Sequence, residues 1–202
     1  MIKTIIFDNN GVLTDSDKEA TISNFAKYFG IEESELVKVF DTFAKPLDDG
    51  SISTSQFYQL IADKFDKKYN YAELRNVHIN SYQPKLGMRG LLERLKTTHE
   101  IALLTNFGDV FDEADKKVWK CTEIFDSKNI FVSSKLKLKK PELKIYEVAL
   151  KSLARVATEV VFIDDRESNL VPARVLGMNT ILFTSPKQCE NELQLLLEES
   201  NV

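Results

Sequence analysis

The sequence predicts an α/β protein: a doubly wound, mainly parallel, Rossmann-like sheet with a small helical cap domain inserted after the first strand. Three observations support this fold: short apolar runs, helical patterns between the later runs, and an unbroken series of helical patterns after the first run. Five runs are rich in apolar and β-branched residues: Ile2–Phe7, Ile101–Leu104, Ile130–Val132, Val160–Ile163 and Thr180–Phe183. They are apolar at successive positions, as expected for strands that are covered on both faces.

Helical patterns separate the later runs. In Glu142–Leu153 the apolar residues recur with the spacing of one helix face. Asn169–Leu176 forms a second such pattern, and Gly177 follows it where a glycine often ends a helix. Strands that alternate with helices in this way indicate a parallel sheet with helices on both faces.

Residues 16–86 interrupt this alternation, because they contain helical patterns only. The four predicted helices are Asp17–Phe29, Glu32–Phe43, Thr54–Phe65 and Tyr71–Ser81. Capping hydroxyls and glycines mark their ends. We therefore expect an α/β core formed by residues 1–15 and 87–202, and a helical cap formed by residues 16–86.

The composition limits the class of protein. With 202 residues, of which 43% are hydrophobic, the chain can form one packed domain and a modest insertion. The 31 acidic and 27 basic residues leave a net charge of −4, which argues against a nucleic-acid partner. The two cysteines, Cys121 and Cys189, have no motif spacing and are expected to be ordinary thiols.

The apolar runs are all too short for a membrane anchor. The run at the N-terminus is shorter than the apolar part of a signal peptide, and no stretch has the length needed to span a bilayer. We expect a cytoplasmic protein, a monomer or a homodimer, without a membrane partner.

Polar residues follow the first predicted strand: Asp8, Asn9, Asn10 and Gly11. Ligands of open α/β sheets bind at the carboxyl ends of strands, so Asp8 can point its carboxylate into a crevice there. The same residue types also favour a turn that has no chemical role. This motif alone leaves the two interpretations open.

Two adjacent carboxylates, Asp164 and Asp165, follow the fourth run, and Asn169 lies four residues further on. Like charges this close repel each other, so one pKa would rise unless a cation neutralises the pair. Oxygen ligands suit Mg²⁺. A helix cap needs only one acid, and two therefore favour a metal site.

Two further pairs lie at element ends. Thr105 and Asn106 end the second predicted strand, and Lys140 and Pro141 open a predicted helix. A hydroxyl and an amide can hydrogen-bond a phosphoryl oxygen, and the lysine can compensate the crowded carboxylates. Proline suits the first helical position, where the helix N-terminus adds partial positive charge. Each pair is common alone, but four such elements in this order are not expected by chance.

Four segments together resemble motifs I to IV of the haloacid dehalogenase-like superfamily: Phe7–Asp15, Leu104–Asn106, Lys140–Tyr146 and Phe162–Asn169. The insertion has the position of the family's small C1-type cap, and Gly177–Leu182 fits the last strand of the family core. Within the superfamily, the likeness is to sugar-phosphate phosphatases and to the N-terminal phosphatase domain of soluble epoxide hydrolases. The resemblance implies a Mg²⁺-dependent phosphomonoester hydrolase that acts on a small phosphorylated metabolite, such as a sugar phosphate.

The resemblance also implies a role for each motif residue. Asp8 would attack phosphorus and form an aspartyl-phosphate. Mg²⁺ would be bound by Asp8, the backbone carbonyl of Asn10 and Asp165, with Asp164 and Asn169 behind these ligands. The transferring oxygens would be held by three residues: Thr105, Asn106 and Lys140.

Asn10 departs from the family pattern, in which most phosphatases have a second aspartate two residues after the nucleophile. That aspartate protonates the leaving oxygen and later activates water, a contribution of about 10²–10⁴-fold that an amide cannot supply. Three explanations stay open: an enzyme for good leaving groups, a catalytically impaired protein that binds a phosphorylated ligand, or an engineered replacement. A haloacid dehalogenase is less favoured, because those enzymes use no metal and lack the adjacent carboxylates.

Outside the motifs the predictions are coarser. Candidates for substrate contact in and beside the cap are Asp15, Ser16, Phe43, Lys45, Asp48 and Ser51. His78 and His99 are expected at the surface or at a helix end. The lysines of Lys135–Lys140, apart from Lys140 itself, are expected in a solvated loop, where they could attract an anionic substrate.

Overall fold

The structure, a computed structural model, describes residues 1–15 and 18–200, and a five-stranded parallel sheet forms its centre. The strands are β1 (Thr4–Phe7), β2 (Glu100–Thr105), β3 (Ile130–Val132), β4 (Val160–Asp164) and β5 (Asn179–Leu182), and their order in the sheet is β3-β2-β1-β4-β5. Each predicted strand is present within two residues of its predicted ends. The predicted fold class is confirmed.

The strand order places a topological switch point at the end of β1. Phe7 is paired with Leu103 of β2 on one side and with Ile163 of β4 on the other. The chain continues to β3 on the first side and to β5 on the second. Ligands of open α/β sheets bind at such a point, because connections leave it in opposite directions and open a crevice.

Ten α-helices lie within the described residues: α1 (Lys18–Phe29), α2 (Glu33–Asp48), α3 (Thr54–Lys64), α4 (Tyr71–Asn80), α5 (Met88–Leu95), α6 (Phe111–Ala114), α7 (Ser133–Leu136), α8 (Leu143–Ser152), α9 (Glu167–Val175) and α10 (Pro186–Glu199). The sequence patterns did not predict α5 or α10. In α10 the start is nonetheless marked, because Ser185 and Gln188 form a capping box. The predicted first residue of α1, Asp17, lies outside the described residues.

Helices cover both faces of the sheet. Alternate residues of β1 and β4 belong to different hydrophobic clusters: Ile5 and Ile163 to one, Ile6 and Phe162 to the other. This two-sided burial explains why the strands are apolar at successive positions.

Helices α1 to α4 share a third hydrophobic cluster of their own. Phe25 is at its centre, and its ring contacts those of Phe40, Phe57 and Tyr58 at centroid distances of 5.7–6.5 Å. The aromatic residues of residues 18–80 therefore act mainly in packing. This cluster is separate from the two that flank the sheet.

Helix α2 continues five residues beyond its predicted end at Phe43, through Pro46 to Asp48. The apolar stripe that begins at Leu36 and Phe40 continues to Leu47, which is buried. Burial of Leu47 accounts for the additional turn, although proline removes one backbone donor there. The end of α2 consequently reaches the edge of the sheet.

Contacts between α2, α3 and the loops after β2 and β3 hold the two regions together. Leu47 packs on Gly108, where an added Cβ would lie 2.7 Å from a Leu47 methyl group. Thr54, the first residue of α3, donates its N–H to Asp109 at 2.8 Å. Lys139 pairs with Asp49 at 2.6 Å.

The prediction that Pro141 is the first residue of a helix is wrong by two residues. The Lys140–Pro141 peptide bond is cis, and the N–H of Glu142 donates to the carbonyl of Lys139 at 2.9 Å. These residues form a turn, and α8 begins only at Leu143.

No helix in the described part of the chain is long and apolar enough to cross a membrane.

We expect Phe25→Ala to lower the free energy of unfolding by about 3–5 kcal/mol, because it leaves a cavity in the cluster of α1 to α4. Urea denaturation monitored by circular dichroism measures the loss. Val37→Ala, at a 50% exposed position of α2, is the control and should cost far less. Equal losses for both variants would contradict a packed core in this region.

Candidate active site

A buried lysine joins two carboxylates at the switch point. Lys140 Nζ lies 2.7 Å from Asp8 Oδ1 and 2.7 Å from Asp164 Oδ2, and its side chain is 1% exposed. Asp8 directly follows β1, and its N–H donates to the carbonyl of Ile163 at 2.9 Å. Neighbouring parallel strands end at the same edge, so residues far apart in sequence meet here.

Burial and charge set the protonation of this group. Burial raises the pKa of Asp8 to about 7; Lys140 opposes this shift and Asp164 adds to it. Burial also favours the neutral amine of Lys140, but the two carboxylates outweigh it and hold the pKa of Lys140 above its ordinary value. A buried cation flanked by two acids is thus retained as a cation, and removal of one partner would leave an uncompensated charge.

The two adjacent aspartates have different surroundings. Asp164 accepts hydrogen bonds from the side chain of Asn169 at 2.9 and 3.0 Å and from the N–H of Arg166 at 2.9 Å, in addition to Lys140. Asp165 Oδ1, by contrast, is buried and has no hydrogen-bond partner within the described residues. The oxygens of Asp164 thus accept hydrogen bonds from the protein, whereas Oδ1 of Asp165 accepts none from the described residues.

Three carboxylates could hold a metal ion. Asp8, Asp164 and Asp165 each offer an oxygen within 4.8 Å of the others. Burial raises the pKa of Asp165, and Asp164 adds to that shift. An unsatisfied buried oxygen among hard, anionic donors is the environment that Mg²⁺ prefers, so these residues fit the predicted metal.

Gly11 allows the turn after β1 to approach Asp165. Its φ is +85°, and a Cβ at this position would lie 2.3 Å from Asp165 Oδ2. Any side chain would displace the carboxylate. The predicted turn is present: the N–H of Leu13 donates to the carbonyl of Asn9 at 2.8 Å.

Asn10 lies in this turn beside Asp8 and lines the cleft described below. Thr14 Oγ1 donates to its side-chain oxygen at 3.4 Å. An amide in this position can donate and accept hydrogen bonds, but it has no proton to exchange at physiological pH.

Thr105 ends β2 and Asn106 follows it, and the two side chains differ in their hydrogen bonding. The hydroxyl of Thr105 is buried without a hydrogen-bond partner among the residues described. The amide of Asn106 is bound on both sides, since Nδ2 donates to the carbonyl of Lys140 at 2.9 Å and Oδ1 accepts from its N–H at 2.9 Å. Asn106 therefore positions Lys140, and one N–H of its amide is left to contact a ligand.

A cleft of about 590 Å³ separates this group from helices α1 to α4. Asp8, Asn10 and Lys140 lie on its floor, and helices α1 to α4 contribute six residues of interest to its walls: Lys18, Phe40, Lys45, Asp48, Phe57 and His78. Of the predicted substrate contacts, Lys45 and Asp48 line the cleft, whereas Asp15, Phe43 and Ser51 do not. Ser16 lies outside the described residues.

His78 lies in the last turn of α4, one of the two predicted places, but it is buried and not at the surface. Nδ1 lies 3.0 Å from the hydroxyl of Tyr58, and Nε2 lies 3.2 Å from that of Tyr82. Burial lowers the pKa of His78 to about 4, so the ring is neutral at physiological pH. Its spacing of four residues from the apolar Leu74 was the available signal, since such residues share a helix face and both are buried.

The lysines before Lys140 are not all solvated. Lys135 is exposed and pairs with Asp112 at 2.6 Å, and Lys137 donates to the carbonyl of Gly50. Lys139 is half-buried and lines the cleft. Arg166, which the sequence patterns did not select, also lines the cleft, although its place directly after Asp165 could have indicated it.

A doubly wound parallel sheet with an acidic cluster and a buried lysine at its switch point defines a Rossmann-like hydrolase architecture. Residues 5–183 match the haloacid dehalogenase-like hydrolases. The chain belongs to this family, as the motifs predicted.

Similar proteins include phosphatases. The D-ribitol-5-phosphate phosphatase of Bacteroides thetaiotaomicron is 24% identical over 98% of this chain and 99% of that protein. Bifunctional epoxide hydrolase 2 of Mus musculus is 37% identical over 43% of this chain and 15% of that protein. The crystal structure of a family enzyme from Bacteroides thetaiotaomicron, in complex with magnesium and inorganic phosphate, matches with a TM-score of 0.81 at 24% identity, over 92% of this chain and 96% of that chain. Magnesium, the predicted cofactor, is the metal in that structure.

We expect Gly11→Ala to weaken divalent-cation binding and to destabilise the protein more than Gly30→Ala. Both glycines have positive φ, a conformation that costs other residues roughly 1–2 kcal/mol, but only Gly11 has an atom within 4 Å of the added Cβ. Urea denaturation and calorimetric titration with Mg²⁺ measure the two effects. Identical behaviour of both variants would show that the close approach to Asp165 is unimportant.

Proposed function

We propose that this protein is a Mg²⁺-dependent phosphomonoester hydrolase that acts on a small phosphorylated metabolite through Asp8. The observation that carries the proposal is the buried group of Asp8, Lys140 and Asp164, with an unsatisfied oxygen of Asp165 beside it. Asp8 and Lys140 line one cleft, and an oxygen of Asp165 lies within 4.8 Å of one of Asp8.

The chain offers a complete ligand set for the metal. Asp8, the backbone carbonyl of Asn10 and Asp165 would hold Mg²⁺, while Asp164 and Asn169 keep the set in place from behind. When bound, Mg²⁺ neutralises the carboxylates and allows an anionic phosphate to approach them. The substitution at residue 10 spares this role, because only the backbone oxygen takes part.

Residues of the chain attack phosphorus and stabilise the transferring oxygens. A carboxylate oxygen of Asp8 attacks phosphorus, the bond to the leaving oxygen breaks, and water later cleaves the aspartyl-phosphate. The cation of Lys140, the hydroxyl of Thr105 and the remaining N–H of Asn106 stabilise the transferring oxygens. Such positioning and charge stabilisation account for most of the rate of phosphoryl transfer.

A phosphorylated sugar or polyol is the substrate class that we favour. The full-length relative described above is a phosphatase for D-ribitol 5-phosphate, and a cleft of about 590 Å³ accepts a molecule of that size. We also propose that residues 16–86 form a cap that closes over the cleft and excludes water. Residue 10 itself supplies no proton to the leaving oxygen, because it is an amide.

We expect release of inorganic phosphate from aryl and sugar phosphates to require Mg²⁺ and to vanish in Asp8→Asn, because the amide cannot form the acyl phosphate. A colorimetric phosphate assay, with Mg²⁺ and with EDTA, measures both effects. Asp112→Asn, at an exposed position away from the cleft, is the matched control and should keep full activity.

Two other experimental outcomes would indicate a different function for the protein. If no phosphate ester is hydrolysed but calorimetry detects phosphate-dependent binding, the protein is a ligand-binding member of its family, as Asn10 would permit. Release of chloride from 2-chloropropionate without metal would indicate a dehalogenase, which the pair of Asp164 and Asp165 disfavours.

A further inference from the structure

Asp48 is an acidic side chain in the cleft to which no motif assigns a role. It is the last residue of α2, and it lines the same cleft as Asp8 and Asn10. Its side chain is half-buried.

The carboxylate of Asp48 differs from its acidic neighbours because it is unpaired. Asp41 pairs with Lys18 at 2.6 Å, and Asp49 pairs with Lys139 at 2.6 Å. Within the part of the chain that the structure describes, no hydrogen bond or ion pair reaches the carboxylate of Asp48. An acid at the C-terminal end of a helix also opposes the helix dipole, so this position is costly without a function.

The end of α2 is held over the floor of the cleft. Ser133 Oγ donates to the carbonyl of Asp48 and accepts from the N–H of Phe107 at 2.9 Å, which ties Asp48 to the residue after Asn106. Leu47 packs on Gly108 in the same loop. These contacts fix the backbone of Asp48 above the carboxyl end of β2, next to the strand that carries Asp8.

Four charged groups act on the carboxyl group of Asp48. Burial raises the pKa of Asp48 to about 6; Lys139 and Arg166 oppose the shift, and Asp49 and Asp41 add to it. Lys139 precedes Lys140, Arg166 follows Asp165, and both cations line the cleft. The carboxyl group of Asp48 therefore shares one cleft with these two cations and with Asp8.

We propose that Asp48 is the general acid and base of this enzyme and replaces the missing function of Asn10. The inference rests on the phosphatase function proposed above. In the first step an oxygen of Asp8 bonds to phosphorus, the bond to the leaving oxygen breaks, and the carboxyl proton of Asp48 passes to that oxygen. In the second step water bonds to phosphorus, its proton passes to the Asp48 carboxylate, and the bond to Asp8 breaks.

This assignment explains the combination of Asn10 with an otherwise complete site. A general acid works best when its pKa is close to the working pH, and that of Asp48 has moved in this direction. Because the acid is on α2, proton transfer depends on the position of residues 18–80 over the cleft. Reaction then requires the closed arrangement, which also excludes water.

The test is Asp48→Asn, assayed with a good and a poor leaving group. The value of kcat/KM reports the steps up to departure of the leaving group. We expect it to fall about 10²–10⁴-fold for an alkyl ester such as ribitol 5-phosphate, and less than tenfold for 4-nitrophenyl phosphate, whose leaving group needs no proton. An equal fall for both substrates, or no fall, would overturn the proposal.

Two further variants separate catalysis from structure. The double variant Asn10→Asp/Asp48→Asn should have a kcat/KM for the alkyl ester at least tenfold higher than that of Asp48→Asn. The reason is that it returns a carboxyl group to the family position. Asp63→Asn, the same change at an exposed site of α3, is the matched control and should leave both substrates unaffected. A failure of Asn10→Asp to restore activity would count against a proton-transfer role.

The pH dependence gives an independent readout. Proton donation requires the acid form of Asp48, so kcat/KM for the alkyl ester should fall as pH rises above the pKa of about 6. In Asp48→Asn this fall of kcat/KM should be absent. The raised pKa means that folding disfavours the charged form, so Asp48→Asn should also unfold at an equal or higher temperature above pH 6. A lower unfolding temperature together with equal losses for both substrates would indicate a structural role.

Different results would contradict the phosphatase function and the role of Asp48. If the wild-type protein releases phosphate from neither substrate with Mg²⁺, the phosphatase function itself is wrong. If it hydrolyses both and Asp48→Asn shows no dependence on the leaving group, only the role of Asp48 is wrong.

Discussion

The ion group of Lys140 with Asp8 and Asp164 is the constraint on which the site depends. Both carboxylates are buried, and burial of two acids without a cation would be prohibitive. Lys140 supplies that cation at 2.7 Å from both. Its own position is in turn fixed by Asn106, which binds both sides of its backbone. The charge balance of the site therefore requires three strands and the turn before α8 to be correctly placed.

The second constraint is the contact between helices α1 to α4 and the edge of the sheet. At this contact α2 continues to Asp48 and packs Leu47 on Gly108, and all three residues line the cleft. This brings a half-buried, unpaired carboxylate into a cleft whose floor lacks the usual second acid. Asp8 thus lies at the end of a sheet strand, whereas Asp48 lies at the end of a helix, and both residues line the same cleft.

Sequence patterns predicted the strands well, because residues covered on both faces are apolar at every position and leave a strong local signal. They missed α5 and α10, whose short or polar patterns resemble those of loops. The extension of α2 through Pro46 was also missed, since the burial of Leu47 arises from contact with a loop 60 residues further along the chain. The turn at Pro141 was misassigned for a related reason: proline suits a helix start, and only the surrounding contacts select the turn.

The sequence by itself determined the family, the sheet and the residues at its carboxyl edge, because four short motifs follow strand ends in a fixed order. Asp8, Lys140, Asp164 and Asp165 could be named from that order alone. Only the tertiary structure decided how they differ: Asp164 is satisfied by protein donors, whereas Asp165 keeps a free oxygen. It alone distinguished Asp48, which lines the cleft, from Asp15, Phe43 and Ser51, which do not. Pairing and burial depend on residues distant in sequence, and no local pattern records them.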